Sequence, residues 1–189
     1  MRNVNDHFYI RQVKTGNFRA FSGIVQTYQP MVLAIIRKMV ESREDAEDIA
    51  QEVFIKVFKS LAQFREEAEF STWLYRIAYN TTLSELRKRK LSFVSIDEVF
   101  PIENETVSDD LEAVDTEKKL HYLDTALKQL PPDEIFLITL YYLEEQPIEA
   151  ISQISQLTVS NVKVKLHRIR KKLALEINKR IENEDRRFF

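Results

Sequence analysis

The chain has 189 residues, 44% of them apolar, with two glycines and five prolines; that is enough for one larger or two small domains, built from long helices rather than tight hairpins. It has no cysteine, which excludes disulfides, thiolate catalysis and cysteine-ligated zinc. The formal net charge of -2 argues against nucleic-acid binding unless positive charge is concentrated locally. The opening MRNVNDHFYI lacks a signal-peptide pattern, and no apolar run approaches membrane-spanning length, so a cytoplasmic protein is expected.

In chain order, Asp6 to Lys14 reads as a short helix. Gly16 and Asn17 interrupt it, and a longer helix follows to about Val40. Its buried stripe is Phe18, Phe21, Ile24, Val25, Tyr28, Val32, Ile35, Ile36 and Met39. Pro30 lies inside that pattern and predicts a kink or break near Tyr28. The next helix starts after Glu41 and Ser42, with acids in its favourable first turns. Ala46, Ile49, Ala50, Val53, Val57 and Leu61 face inward. Glu41, Asp45, Asp48 and Glu52, joined by Gln51, form an acidic stripe that suits either solvent or a basic protein surface.

A break from Gln63 to Glu69 is anchored by Phe64 and Phe70. The segment FSTWLYRIAYNTTLSELRKRK then reads as a helix from Thr72 to Arg89, capped by Ser71. Trp73, Tyr75 and Tyr79 put three rings on a helix whose end is basic. Rings can stack on unpaired bases while cations hold the backbone, and Asn80 offers a donor and an acceptor to a base edge. Each ring taken alone suits core packing better than base stacking.

From about Leu91 to Glu112 the periodicity fails and the composition is acidic without one Lys or Arg, which marks a linker. Helical order resumes near Ala113, with Leu120, Leu123, Ala126 and Leu127 as core contacts. Pro131 and Pro132 begin another helix, supported by Ile135, Phe136, Ile138, Thr139 and Tyr142. The run from Pro147 to Leu173 reads as two helices around a tight connection. Ile148, Ile151 and Ile154 line the first. Thr158 or Ser160 caps the second, which carries Val162, Leu166, Ile169 and Leu173 inward and has no acid from Thr158 to Leu173. A short helix, a turn and a basic helix suggest a helix-turn-helix DNA reader, with a helical hairpin bearing a solvated basic face as the alternative.

No catalytic constellation emerges. His7, His121 and His167 lie in separate segments without metal-ligand spacing, and there is no glycine-rich phosphate loop. No enzyme activity, metal or cofactor is expected.

The pieces DAEDIAQEVFIKVF, FSTWLYRIAYN, the LP start of the later domain and SNVKVKLHRIRKKL, in this order around an acidic linker, closely resemble the extracytoplasmic-function (ECF) subgroup of the sigma-70 family. The resemblance implies an all-α fold of two small helical domains joined by a flexible acidic linker: region 2 over 1–90, the linker over 91–112 and region 4 over 113–189. It implies binding to core RNA polymerase, through the beta-prime clamp helices and the beta flap, and promoter-specific initiation. By resemblance, Asp45, Asp48, Gln51 and Glu52 face polymerase. Phe64, Trp73, Arg76, Ile77, Asn80, Arg87 and Lys88 would meet the -10 element; promoter DNA is the implied partner both as duplex and as opened non-template strand. Ser160, Asn161, Lys163, Val164, Lys165, His167, Arg168 and Lys171 would meet the -35 element. An anti-sigma protein is an implied partner; membrane insertion is not. Many family members carry glycine where this chain has Gln156, and Ser152 replaces a small apolar residue, its hydroxyl expected to bond back to its own helix. The competing reading is a two-domain helix-turn-helix regulator that never binds polymerase.

Overall fold

The computed structural model describes residues 6–90 and 116–185; the expected linker over 91–112 lies outside them. The described residues form helices α1 (Asp6–Lys14), α2 (Phe21–Met39), α3 (Arg43–Ser60), α4 (Phe70–Lys90), α5 (Thr116–Leu127), α6 (Pro132–Tyr142), α7 (Ile148–Ser155) and α8 (Val159–Asp185), with 3-10 turns before α2 and after α3. No strand occurs among them, and the all-α expectation holds.

The N-terminal half is assembled on α2. Gly16, at φ 98, makes the turn out of α1 that a residue with a Cβ would resist. Gly23 lets α1 approach closely, because a Cβ there would overlap the Tyr9 ring. Of the kink or break expected near Tyr28, the break does not occur: α2 runs through Pro30. Pro30 and Gln26 both lie on the exposed face, so the carbonyl deprived of its usual N–H partner meets water. Ile24, Tyr28, Val32, Ile35 and Ile36, buried on either side of the proline, anchor the helix on both sides of it. Tyr28 also donates its hydroxyl to Asp6 at 2.5 Å.

Helix α3 begins as its sequence requires. The Ser42 hydroxyl accepts from the Asp45 backbone N–H at 3.2 Å, a cap that contributes about 1 kcal/mol. Its inward residues are buried as the spacing predicts, with Phe54 added. Helix α4 starts at Phe70, so Ser71 lies inside the helix rather than at its cap.

Helix α6 is covered on opposite sides. It packs against α2 and α4 of the first half and against α7 and α8 of the second. Six consecutive residues, Ile135 to Leu140, are therefore buried. Leu137 and Leu140 join the expected set, while Tyr142, expected inside, is 50% exposed where the helix runs out of the core. On α5, Leu120 is likewise 61% exposed rather than buried; the covered positions are Tyr122 and Ala126. The two halves share one apolar core, running from Ile10 and Ile24 through Leu74 and Phe136 to Val162 and Leu173.

Candidate nucleic-acid interface

The helix-turn-helix is formed by α7 and α8. Thr158, rather than Ser160, caps α8: its hydroxyl accepts from the Asn161 N–H at 3.2 Å. Val162, Leu166, Ile169 and Leu173 bury the inner stripe, which turns Ser160, Asn161, Lys163, Val164, His167 and Arg168 outward as one exposed, cationic surface. Lys171 borders it, half-buried. Lys165 is different: its ammonium reaches back to Asp133 at 2.8 Å, tying α8 to the first turn of α6. Lys172 does the same with Glu134 at 2.7 Å.

The connection between α7 and α8 departs from the sequence expectation in an instructive way. Gln156 adopts φ 60, ψ 24, the left-handed conformation that glycine takes without penalty; a side chain there costs roughly 1–2 kcal/mol. The Ser152 hydroxyl does not return to its own helix but donates across the turn to the Leu157 carbonyl at 2.5 Å. That bond closes the turn from inside. With its amide oxygen turned towards Arg76, Gln156 accepts from Arg76 Nε at 3.1 Å and Nη2 at 2.5 Å.

The second group of candidates lies on α4 and the loop before it. Phe64 is only 5% exposed. Its ring packs edge-on to Phe70 at 5.5 Å and against Trp73 at 5.0 Å, while Lys14 donates to the Phe64 carbonyl at 2.7 Å. The loop is thus pinned by the ring expected to meet a base. Trp73 and Ile77 are half-buried; Arg76, Asn80, Arg87 and Lys88 are exposed. Lys88 pairs with Glu85 at 2.7 Å. Tyr75 and Tyr79 are core residues. Tyr75 donates to Glu144 at 2.7 Å, and Tyr79 lies on Phe136 with ring centroids 4.7 Å apart. Burial foremost pushes both phenols above their usual pKa; the Glu144 hydrogen bond adds to this for Tyr75, and the negative charge of Asp133 for Tyr79. Both stay protonated at neutral pH.

On α3, Asp48 and Gln51 are exposed and Glu52 and Asp45 partly so. Glu52 pairs with Lys56 at 3.7 Å. Asp48 and Glu52 line a shallow groove with Ile49, Glu85 and Lys88, which sets the acidic stripe beside the basic end of α4. No group of His and carboxylates suited to a metal ion occurs among the described residues, and no helix there is long and apolar enough to cross a membrane.

Residues 24–91 match the family model for sigma-70 region 2, and residues 120–173 that for sigma-70 region 4. The ECF RNA polymerase sigma factor SigW of Bacillus subtilis is 34% identical over 176 residues, 89% of this chain and 94% of its own length. The chain belongs to the ECF group of the sigma-70 family. This sigma factor is also similar to the RNA polymerase sigma-H factor of Pseudomonas aeruginosa, 31% identical across 87% of this chain and 90% of that one. The ECF sigma-E factor of Escherichia coli K12 is 30% identical across 88% and 91%. Two solved structures share the fold: CnrH in complex with the cytosolic domain of CnrY (TM-score 0.66, 20% identity, 92% and 97% coverage), and RpoE with the anti-sigma factor NepR from Bartonella quintana (TM-score 0.62, 19% identity, 84% and 96% coverage). As an ECF sigma factor, the protein directs transcription initiation by RNA polymerase.

The exposed row on α8 falls within the region 4 match, and the α3 stripe and α4 within region 2. Sequence reasoning missed the interactions between the halves: Tyr75 with Glu144, Tyr79 with Phe136, Arg76 with Gln156. Only Gln156 carried a signal, as a departure from the glycine common in the family.

Proposed function

We propose that this sigma factor divides promoter reading between its halves, 1–90 and 113–189, with 91–112 between them. Helix α8 enters the major groove of the -35 element with Ser160, Asn161, Lys163 and Val164 towards base edges. His167, Arg168 and Lys171 lie against the groove wall, where phosphate contacts fix register without reading sequence. Lys165, engaged by Asp133, steadies the reading helix more than it contacts DNA. Helix α4 serves the -10 element: Asn80 offers its amide to an extruded base, Trp73 and Ile77 border it, and Arg76, Arg87 and Lys88 hold phosphates. The carboxylates of Asp45, Asp48 and Glu52, with the Gln51 amide among them, receive a basic helical surface of core polymerase at the beta-prime clamp, with a second contact from the beta flap to region 4.

The observation that carries this reading is the exposed cationic row of α8, outward from a buried stripe. Polymerase makes the RNA bonds; the sigma factor supplies position and strand opening. The structural relatives solved with CnrY and with NepR support a similar partner here, an anti-sigma protein that sequesters the free factor. Run-off transcription with purified core polymerase on a library of upstream DNA tests the proposal. Promoter-specific initiation is expected. Tight duplex binding by the isolated protein, with no initiation, would instead identify a regulator independent of polymerase.

A further inference from the structure

Helix α1 reaches the loop between α3 and α4 with two polar side chains, and both close on the same stretch of it. Lys14, in the last turn of α1, donates to the Phe64 carbonyl at 2.7 Å and stands 3.9 Å from one oxygen of the Glu66 carboxylate. Its ammonium lies 5.8 Å from the centre of the Phe64 ring. His7, on the same face of α1, donates from Nδ1 to the other Glu66 oxygen at 3.1 Å. Glu66 holds φ 60, a left-handed conformation that a residue with a side chain adopts only at a cost. The loop thus contains a strained residue, and α1 grips that residue by its side chain. Arg65 and Glu67 on either side are exposed. On the inner side the Phe64 ring packs on Phe70 and Trp73, while Ile10 and Val13 bury α1 in the same core.

We propose that Lys14 and His7 are positioning residues for promoter opening: from α1 they set the conformation of the loop against which the extruded -10 base is received. The inference rests on α4 and this loop being the -10 reader. An extruded base gives up its stacking, and contacts with the protein must offset that loss. A loop that became ordered only as the base arrived would subtract its own ordering from those contacts. Here the ordering is done beforehand. The Lys14 bond fixes the backbone at Phe64, where the chain leaves the 3-10 turn. The hold on Glu66 fixes the next bend of the loop. A charged donor makes the stronger kind of hydrogen bond, and the Lys14 side chain is only 30% exposed, so water competes poorly for it. Neither residue reads a base; both act through Phe64 and Glu66.

Trp73 is the single tryptophan and packs on Phe64, so its fluorescence reports on the loop in the full chain without polymerase. Lys14→Met removes the ammonium and keeps a stem of similar length. Lys14→Arg keeps the charge and the donors. Glu66→Gly suits the left-handed backbone but leaves α1 no carboxylate to hold. Release of the loop should raise acrylamide quenching of Trp73 by about twofold in Lys14→Met and in Glu66→Gly, with Lys14→Arg close to the unaltered protein. The second measurement adds core polymerase and a promoter selected from a library randomised at the -10 element. Preference for the selected -10 bases, read from permanganate reactivity of the opened strand, should fall about tenfold in Lys14→Met, the scale of one charge-assisted hydrogen bond. Lys14→Arg should restore it, and closed-complex binding at the -35 element should not change. Glu66→Gly should lose the same preference without losing thermal stability, which a merely structural role would not produce. Initiation with unaltered quenching and unaltered -10 preference in Lys14→Met rejects the inference and keeps the sigma reading. Equal losses in open and closed complexes, not restored by Lys14→Arg, also overturn it. Raised quenching in variants of a chain that itself opens no promoter in the library keeps the hold of α1 on the loop and rejects its part in base capture, because the reading of α4 has then failed.

Discussion

Helices α4 and α8 are both long, both cationic along part of their length and both placed to meet DNA, yet they differ in what covers them. The inner stripe of α8 is buried by its own half of the chain, and the reading row from Ser160 to Arg168 is left open. Helix α4 is buried by both halves: it packs on α2 and α3, while Tyr75 and Tyr79 meet Glu144 and Phe136. A helix with one buried face keeps its functional face constant. A helix with two owes its position to both, and the face of α4 that meets the C-terminal half is the one carrying Tyr75, Arg76 and Tyr79.

The largest expected effect breaks this joint. Phe136 is fully buried where α6 meets Tyr79, and Phe136→Ala should cost ~3–5 kcal/mol. Trp73, the single tryptophan, sits in the N-terminal half. In urea, the fluorescence transition of Trp73 and the helical circular dichroism of the whole chain should move together to lower denaturant. A fluorescence transition left unmoved would mean that the halves unfold separately and that their shared core contributes little.

A second comparison sets the readers against each other. Lys163→Ala removes an exposed cation from α8 and should weaken discrimination at the -35 element by roughly 1–3 kcal/mol, with strand opening little changed once the complex forms. Asn80→Ala on α4 should do the reverse, lowering open-complex formation, measured by permanganate reactivity of unpaired thymines, more than closed-complex binding. Equal losses in both assays for Asn80→Ala would remove it from base capture; an unaltered -35 preference for Lys163→Ala would remove that lysine from base reading.

The same contrast explains what was legible in the sequence. Helices α3 and α8 have one buried face, so their apolar positions fall at helical spacing and their functional faces are what remains. Helix α6 is buried on opposite sides, its apolar residues run together from Ile135 to Leu140, and spacing alone could not show that Leu137 and Leu140 belong inside while Tyr142 does not. Tyr75 and Tyr79 looked suited to stacking on bases because rings beside cations have that chemistry; their true partners, Glu144 and Phe136, are distant in sequence, and nothing local on α4 points to them. Pro30 predicted a break because a lone proline removes a hydrogen bond; the flanking core residues of α2 outweigh that loss. The turn at Gln156 was flagged by composition, and its geometry followed glycine's even though the residue did not.

A smaller effect sharpens the comparison at α3, whose outward stripe depends on a correctly started helix. Ser42→Ala removes the acceptor for the Asp45 N–H and should lower stability by about 1 kcal/mol in urea unfolding. An unchanged midpoint would show that water replaces the cap at no cost.

The smallest effect lies at the far end of the same half, where α1 is fastened to α2 through Asp6 and Tyr28. Burial foremost raises the Asp6 carboxyl above its ordinary 3.8, and the Tyr28 hydrogen bond partly opposes that rise. Tyr28→Phe removes the opposing influence while keeping the ring against Phe70, so the Asp6 pKa should climb further, read from its carboxyl shift in an NMR titration. The linkage has a definite sign. A folded-state pKa above the unfolded one means the native protein binds this proton more tightly, so Asp6's contribution to stability is fully present below 3.8 and is lost as pH rises through the folded value. Helix α1 should therefore loosen slightly on going from mildly acidic to neutral pH, and Tyr28→Phe should widen that window. A carboxyl titrating at or below 3.8 in the Phe variant would show that solvent reaches Asp6 and that the fastening of α1 rests on Ile10 and Val13 alone.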